Sequence, residues 1–273
     1  MKRALKITAL SLAALAAFVA VLAIAALILV QTAWFRDFVR VRIAAVVERA
    51  TGGHVEIGSF SYDWHHLTAE VAPFVLHGTE SASAPPLFRA DRIRIGFKII
   101  SALEKKVDIA QLLIARPQVS IVIGPDGSTN IPRPRIPRFN QNVVEDLLDL
   151  KVQHVEIHQG EFNYNSWRLP LDANGENLQT SLTYQPGGKI PGQNDAPRYL
   201  CAISSALLHV ASPKLRTPAQ FGLDTQVELG RSTVHVLSMN LSSGGIKIQS
   251  QGSIVNLYSP VADFNVTAAL PAM

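Results

Sequence analysis

Arg92-Ile93-Arg94-Ile95-Gly96-Phe97-Lys98-Ile99 puts an apolar side chain at every odd position and, apart from Gly96, a charged one at every even position. A strand turns successive side chains to opposite faces, so this spelling describes a strand with one wet and one dry side. Segments of the same period recur at residues 119–123, 152–157, 234–236, 246–248 and 264–270, divided by Gly, Pro, Asn and Ser. Strands at that spacing, with few helical stretches between them, predict a mainly β protein built on an antiparallel sheet. Residues 107–123 and 152–164 share a strand-turn-strand layout, which predicts a sheet extended one hairpin at a time.

Upstream of the β region, residues 7–30 carry no charge and are broken only by Thr8 and Ser11. As a helix they would reach roughly 36 Å, enough for a hydrocarbon core of about 30 Å. Lys2, Arg3 and Lys6 precede the run, which predicts a cytoplasmic N-terminus and an exported C-terminal bulk, although Arg36, Arg40 and Arg42 lie beyond it. A cleaved signal peptide would have an apolar region of about 7–15 residues ending in a small-residue site. The present run is longer and leaves through Gln31-Thr32-Ala33-Trp34, so an uncleaved anchor is expected. Residues 34–50 then place Phe35, Phe38, Val39, Ile43, Val46 and Val47 at helical spacing, with Gly52 and Gly53 as the stop. This predicts an amphipathic helix that lies at the membrane face, caps the open end of a sheet, or packs in a core.

Two stretches interrupt the strands. Residues 124–142 hold Pro125, Pro132, Pro134 and Pro137 with Arg133, Arg135 and Arg138, which predicts a mobile basic loop before a short helix at 143–150. The three arginines are candidates for contact with anionic headgroups or a partner, against the plainer reading of a solvated loop. Residues 185–197, rich in Gly and Pro, predict a second loop. The last strand ends without a capping helix, so we expect more sheet beyond it in a longer protein.

Chemistry of the catalytic kind is missing from the sequence. The net charge of +4 is dispersed and accompanies no nucleic-acid motif, so nucleic acid is not an expected partner. Cys201 is the single cysteine, which rules out an internal disulfide and a cysteine metal site. His65 and His66 are adjacent, and neighbours on a strand face opposite ways; an exposed pair is expected, not a ligand set. His154 and His158 share a face but stand about 13 Å apart along a strand. No nucleophile elbow, phosphate loop or zinc-binding helix motif occurs, and Gly187-Gly188-Lys189 reads as a turn. No enzyme activity, cofactor or metal is expected.

Several segments together resemble a known family. After the anchor and helix come Ala50-Thr51-Gly52-Gly53 and Val55-Glu56-Ile57-Gly58-Ser59-Phe60-Ser61. Then follow Leu112-Leu113-Ile114-Ala115-Arg116-Pro117-Gln118-Val119, Pro125-Asp126-Gly127-Ser128-Thr129-Asn130 and Val155-Glu156-Ile157-His158-Gln159-Gly160-Glu161-Phe162-Asn163-Tyr164. The order resembles the start of AsmA-like proteins, above all the TamB branch, the inner-membrane part of the translocation and assembly module; the likeness covers residues 1–180. The resemblance implies a taco-shaped β groove in the periplasm of a bacterium, held at the inner membrane, along which phospholipid acyl chains move between membranes. It also implies a part in outer-membrane protein assembly with an outer-membrane barrel partner. The C-terminal region of TamB is missing, and a sheet of this size cannot cross a periplasm alone, so a fragment or a more local role is expected.

The expected organisation is therefore a cytoplasmic tip and transmembrane anchor at 1–33, an amphipathic helix at 34–53, and an elongated antiparallel β-sheet curved into a groove at 54–273. Acyl chains bind without directional bonds, so a groove needs aliphatic side chains on one face. Ile93, Ile95, Phe97, Ile99, Val119, Ile121 and Ile123 are the candidate lining; the competing expectation is that they pack a closed sandwich core. A scaffold whose sheet edges pair with client strands is the alternative function.

Overall fold

The computed structural model describes residues 17–22, 25, 28–29, 31–98, 109–134, 148–149, 151–168, 170–187, 196–213, 218–257 and 259–269. The candidates Ile99, Arg135 and Arg138 lie outside them, as does most of the expected anchor, of which residues 17–22, 25 and 28–29 are described and helical. Among the described residues no helix is long and apolar enough to cross a membrane. The chain divides into two compact units, Met1–Ile43 and Ala44–Met273.

Helix α1 spans Ala33–Thr51. Thr32 caps it, its Oγ1 accepting the Phe35 amide at 3.2 Å. At the other end the Gly52 amide donates to Glu48 O at 2.7 Å and Gly52 takes φ +80°, the expected glycine stop. The expected single apolar face is not found. Phe35, Val39, Ile43 and Val47 are half-buried, whereas Trp34, Phe38 and Val41 form a second, exposed stripe. The helical spacing read from Phe35 does not include Val41.

Among the described residues thirteen strands form one sheet: β1 (His54–Asp63), β2 (Thr68–His77), β3 (Phe88–Ala90), β4 (Arg92–Phe97), β5 (Ile109–Ala115), β6 (Gln118–Ile123), β7 (His154–Ser166), β8 (Leu171–Gln185), β9 (Arg198–Ala211), β10 (Ala219–Leu229), β11 (Thr233–Ser243), β12 (Ile246–Val255) and β13 (Val261–Ala269). From β7 to β13 each strand pairs antiparallel with the next. Earlier in the chain, β1 pairs β2, which pairs both β3 and β4. The mainly β, mostly antiparallel fold agrees with the period-two segments that predicted it.

The expected hairpin within residues 107–123 is not there. β5 and β6 run on in one direction and both lie parallel to β7, with Gln111 opposite His154 and Ile123 opposite Ser166. The offset is 43 residues at both ends (154 minus 111, 166 minus 123), so the two similar stretches stack in register. What looked like a turn is a break in one long strand. Arg116 takes φ +48° and its partner position Gln159 takes φ +54°. A left-handed residue of this kind inserts a bulge and leaves the strand direction unchanged. Parallel pairing requires the chain to return between β6 and β7, and residues 124–153 make that crossover.

Bulges and breaks line up across the sheet. β3 and β4 are likewise one strand interrupted at Asp91, whose amide donates to Ala115 O at 3.2 Å beside Arg116. Asn177, with φ +52°, breaks β8 next to Gln159, and the pairing of β9 with β10 shifts between Phe221 and Leu223. A transverse seam thus crosses the strands from Gly58 in β1 and Pro73 in β2 to β9. Among the described residues a core cluster gathers Leu148 and Val152 of the crossover against Val155, Leu182, Tyr199 and Cys201.

The start of the basic loop is tied down. The Gly124 amide donates to Ser128 O at 2.8 Å and the Asp126 carboxylate accepts from the Ser128 amide and hydroxyl. Asn130 is buried, donating to Ser120 O at 2.7 Å and accepting the Val122 amide at 3.0 Å. The Thr79 amide in turn reaches Asn130 O at 2.9 Å. Within residues 124–130 the turn thus satisfies its own backbone polar groups.

Candidate apolar sheet face

Residues opposite each other in a ladder share a face, so the pairing fixes which side chains stand together. One row reads Ala69, Ile95, Leu112, Val155, Leu182, Cys201, Val227 and Val236 across eight strands. The next row on that face reads Val71, Ile93, Ile114, Ile157, Thr180 and Ile203. Between them, on the reverse face, stand Glu70, Arg94, Leu113, Glu156, Ser181, Ala202 and Gln226. One side is aliphatic and the other mainly polar over the same strands.

Beyond the seam the apolar positions change parity. In β7 they are Val155 and Ile157 before Gln159, then Phe162 and Tyr164 after it; in β5 and β6 they are Leu112 and Ile114, then Val119, Ile121 and Ile123. β4 and β3 do the same, with Ile93, Ile95 and Phe97 on one side of Asp91 and Phe88 and Ala90 on the other. One extra residue in a strand inverts its alternation. The change of parity and the bulge therefore cancel, and the apolar side continues across the seam as Leu76, Phe88, Val119, Phe162, Gly175 and Leu208. Gly175 leaves room here, because a Cβ on it would collide with the Phe162 ring.

Ile93, Ile95, Phe97, Val119, Ile121 and Ile123 are all half-buried. So are Leu112, Ile114, Ile157, Ile203, Val227 and Val236. All thirteen described strands belong to the one sheet. Towards β13 the face opens further, with Val266 65% exposed. Beside Leu148 and Val152 it is sealed, and there Tyr199 is fully buried with its hydroxyl donating to Val152 O at 2.9 Å. Burial pushes the Tyr199 hydroxyl up to about 12 and the Cys201 thiol up to about 11.

The polar face holds ion pairs instead. Glu70 accepts from Arg92 at 2.9 Å and from Arg94 at 2.8 Å, and Arg116 pairs with Asp91. Glu156 lies between His154 and His158 and accepts from their Nε2 atoms at 2.9 and 3.0 Å. These bonds, the one from His158 foremost, hold its carboxyl below the usual range. His65 and His66 prove to sit in the β1 to β2 turn and not on a strand; Asp63 accepts both amides and the His66 ring, which lowers its own pKa. Among the described residues no group of three or more His, Cys, Asp or Glu could hold a metal ion.

Arg133 is exposed, and its carbonyl packs so closely against Gly52 that a Cβ there would collide with it. The seam and the roles of Asn130 and Tyr199 were missed in the sequence. A usable signal existed for the first, since the apolar positions change parity near Pro73, Asp91, Pro117 and Gly160.

The fold places the described residues in the mainly β class, a mostly antiparallel sheet with one aliphatic face. No family model matches the chain, and no curated protein matches it.

Proposed function

We propose that this chain is an envelope protein of the AsmA and TamB type, anchored at the bacterial inner membrane by its N-terminal apolar run. In this proposal its sheet lies in the periplasm, curves into a groove, and carries phospholipid acyl chains on the apolar face as part of transport between membranes and outer-membrane biogenesis. The observation that carries it is the half-buried ladder from Ala69 to Val236, continued beyond the seam. A groove that must admit and release chains needs such a face, since each methylene taken from water gains about 0.8 kcal/mol without holding the ligand at one place. Thirteen strands occupy eleven rungs, because β3 with β4 and β5 with β6 each fill one. At about 4.8 Å per rung the track is long enough for a whole acyl chain laid across the strands.

The test is mass spectrometry of lipid co-purified in mild detergent from the natural chain, Ile95→Lys and, as a control on the polar face, Arg94→Gln. Lipid bound to the natural chain and to Arg94→Gln, but lost from Ile95→Lys, is expected. Absence of lipid from all three would count against the groove.

A scaffold role without lipid is the second proposal, favoured by β13, whose nine residues are all exposed and which among the described residues pairs only with β12. An edge of that kind accepts a further strand. Crosslinking from Phe264 to an outer-membrane barrel protein or one of its clients would support it.

A further inference from the structure

Helix α1 carries an exposed apolar stripe of its own. Trp34, Phe38 and Val41 are 65%, 54% and 62% exposed. At about 100° per residue they fall within roughly 60° of arc, so they form one narrow ridge. Trp34 and Phe38 stack on each other with centroids 5.7 Å apart, which presents a flat aromatic surface. Soluble proteins seldom leave two neighbouring aromatics and an aliphatic side by side in water.

The charges around the ridge name the partner. Arg36, Arg40 and Arg42 lie within the same two turns against one acid, Asp37, which stands 3.4 Å from Arg40. On the same helical wheel Arg42 stands about 70° from the centre of the ridge and Arg40 about 130° away on the other side, while Arg36 is at the back. Arg42 is exposed, and its stem is long enough to lift the guanidinium from the edge of the ridge to the level of phosphates. Tryptophan at the glycerol level, an apolar ridge beneath it and an arginine at its flank are the parts of a helix lying in a bilayer interface. We propose that the Trp34, Phe38 and Val41 ridge seats α1 in the surface of an anionic phospholipid bilayer, with Arg42 at its edge on the phosphates. The half-buried side with Phe35, Val39 and Ile43, from which the helical spacing was first read, is not the membrane side. This inference stands apart from the lipid-carrying sheet and holds whether or not acyl chains travel along it.

The chain has three tryptophans, so Trp64→Phe with Trp167→Phe leaves Trp34 as the sole reporter. The full chain carrying both changes is reconstituted in phosphatidylglycerol and phosphatidylcholine vesicles, with or without bromine on the acyl chains. Loss of most Trp34 emission to bromine, with little loss to aqueous acrylamide, is expected. Arg42→Gln should weaken the bromine quenching as the anionic fraction falls, and Arg36→Gln, at the back, should leave it unchanged. A nitroxide on Val41→Cys gives a second readout with all tryptophans retained, because Cys201 is buried. It should be accessible to oxygen and shielded from a nickel chelate, and a label on Ile43→Cys should be less open to oxygen. Trp34 open to acrylamide, or shielded from both quenchers as in a second copy or a protein partner, overturns the proposal. Alkaline carbonate extraction reports the expected anchor separately: a chain that resists extraction with Trp34 unquenched keeps the anchor and loses the interfacial helix.

Discussion

Tyr199 joins three features at one point: it is buried, it bonds the crossover through Val152 O, and its ring meets Tyr184 edge-on at 5.4 Å. Tyr199→Phe removes the hydroxyl and leaves that carbonyl unpaired, for an expected loss of about 1–2 kcal/mol by urea denaturation. Leu148→Ala opens a hole at the same place and should cost about 2–5 kcal/mol. The raised Tyr199 pKa carries a sign. The folded chain holds its proton more tightly than the unfolded one, so this contribution is complete below pH about 10 and is lost as pH rises towards about 12. Thermal melts in that window should fall less steeply for Tyr199→Phe. At Glu156 the sign reverses: a lowered carboxyl contributes above its unfolded pKa, and the contribution fades as pH falls through the folded value. Glu156→Gln should therefore flatten the acid limb of the stability curve.

At the level of elements the seam governs behaviour. Gln159 is exposed and held at φ +54°, a conformation that costs a side-chain-bearing residue roughly 1–2 kcal/mol and glycine little. Gln159→Gly should leave the urea midpoint unchanged or raise it slightly, while Ile157→Gly two residues away should destabilise the chain by several kcal/mol. Were Gln159→Gly as damaging as Ile157→Gly, the bulge would not be what keeps the apolar side continuous. Gly175→Val would drive a side chain into Phe162 and Leu208 and should cost about 1–3 kcal/mol. The sequence displayed strands such as β4 and β6 plainly, because their alternation is clean. It concealed β8, a run of Asn, Gln, Thr and Ser, and β9, where the small Ala202 and Ala206 and the unbroken Leu207-Leu208 pair blur the period. The seam escaped for the same reason, since a bulge and a hairpin turn both appear as a short lapse in alternation.

For the whole molecule, one face of a single sheet is set apart from the other. That separation is legible in Arg92 to Phe97, because Arg92 and Arg94 alternating with Ile93, Ile95 and Phe97 leave only one side to bury. The reach of the face is not, since the parallel stacking of β5 and β6 on β7 depends on a crossover whose path no local pattern states. Likewise the alternation put His154 and His158 on one face too far apart for a single ion, and the fold adds that the Glu156 carboxylate between them holds both imidazoles. The most direct measurement places a photoreactive amino acid in the full chain in intact cells, at Ile95, Ile114, Ile157 and Val227 on one face and at Arg94, Leu113, Glu156 and Gln226 on the other. Lipid adducts at the first four and none at the second four are predicted. Adducts equally on both faces, or on neither, would contradict the lipid-carrying face.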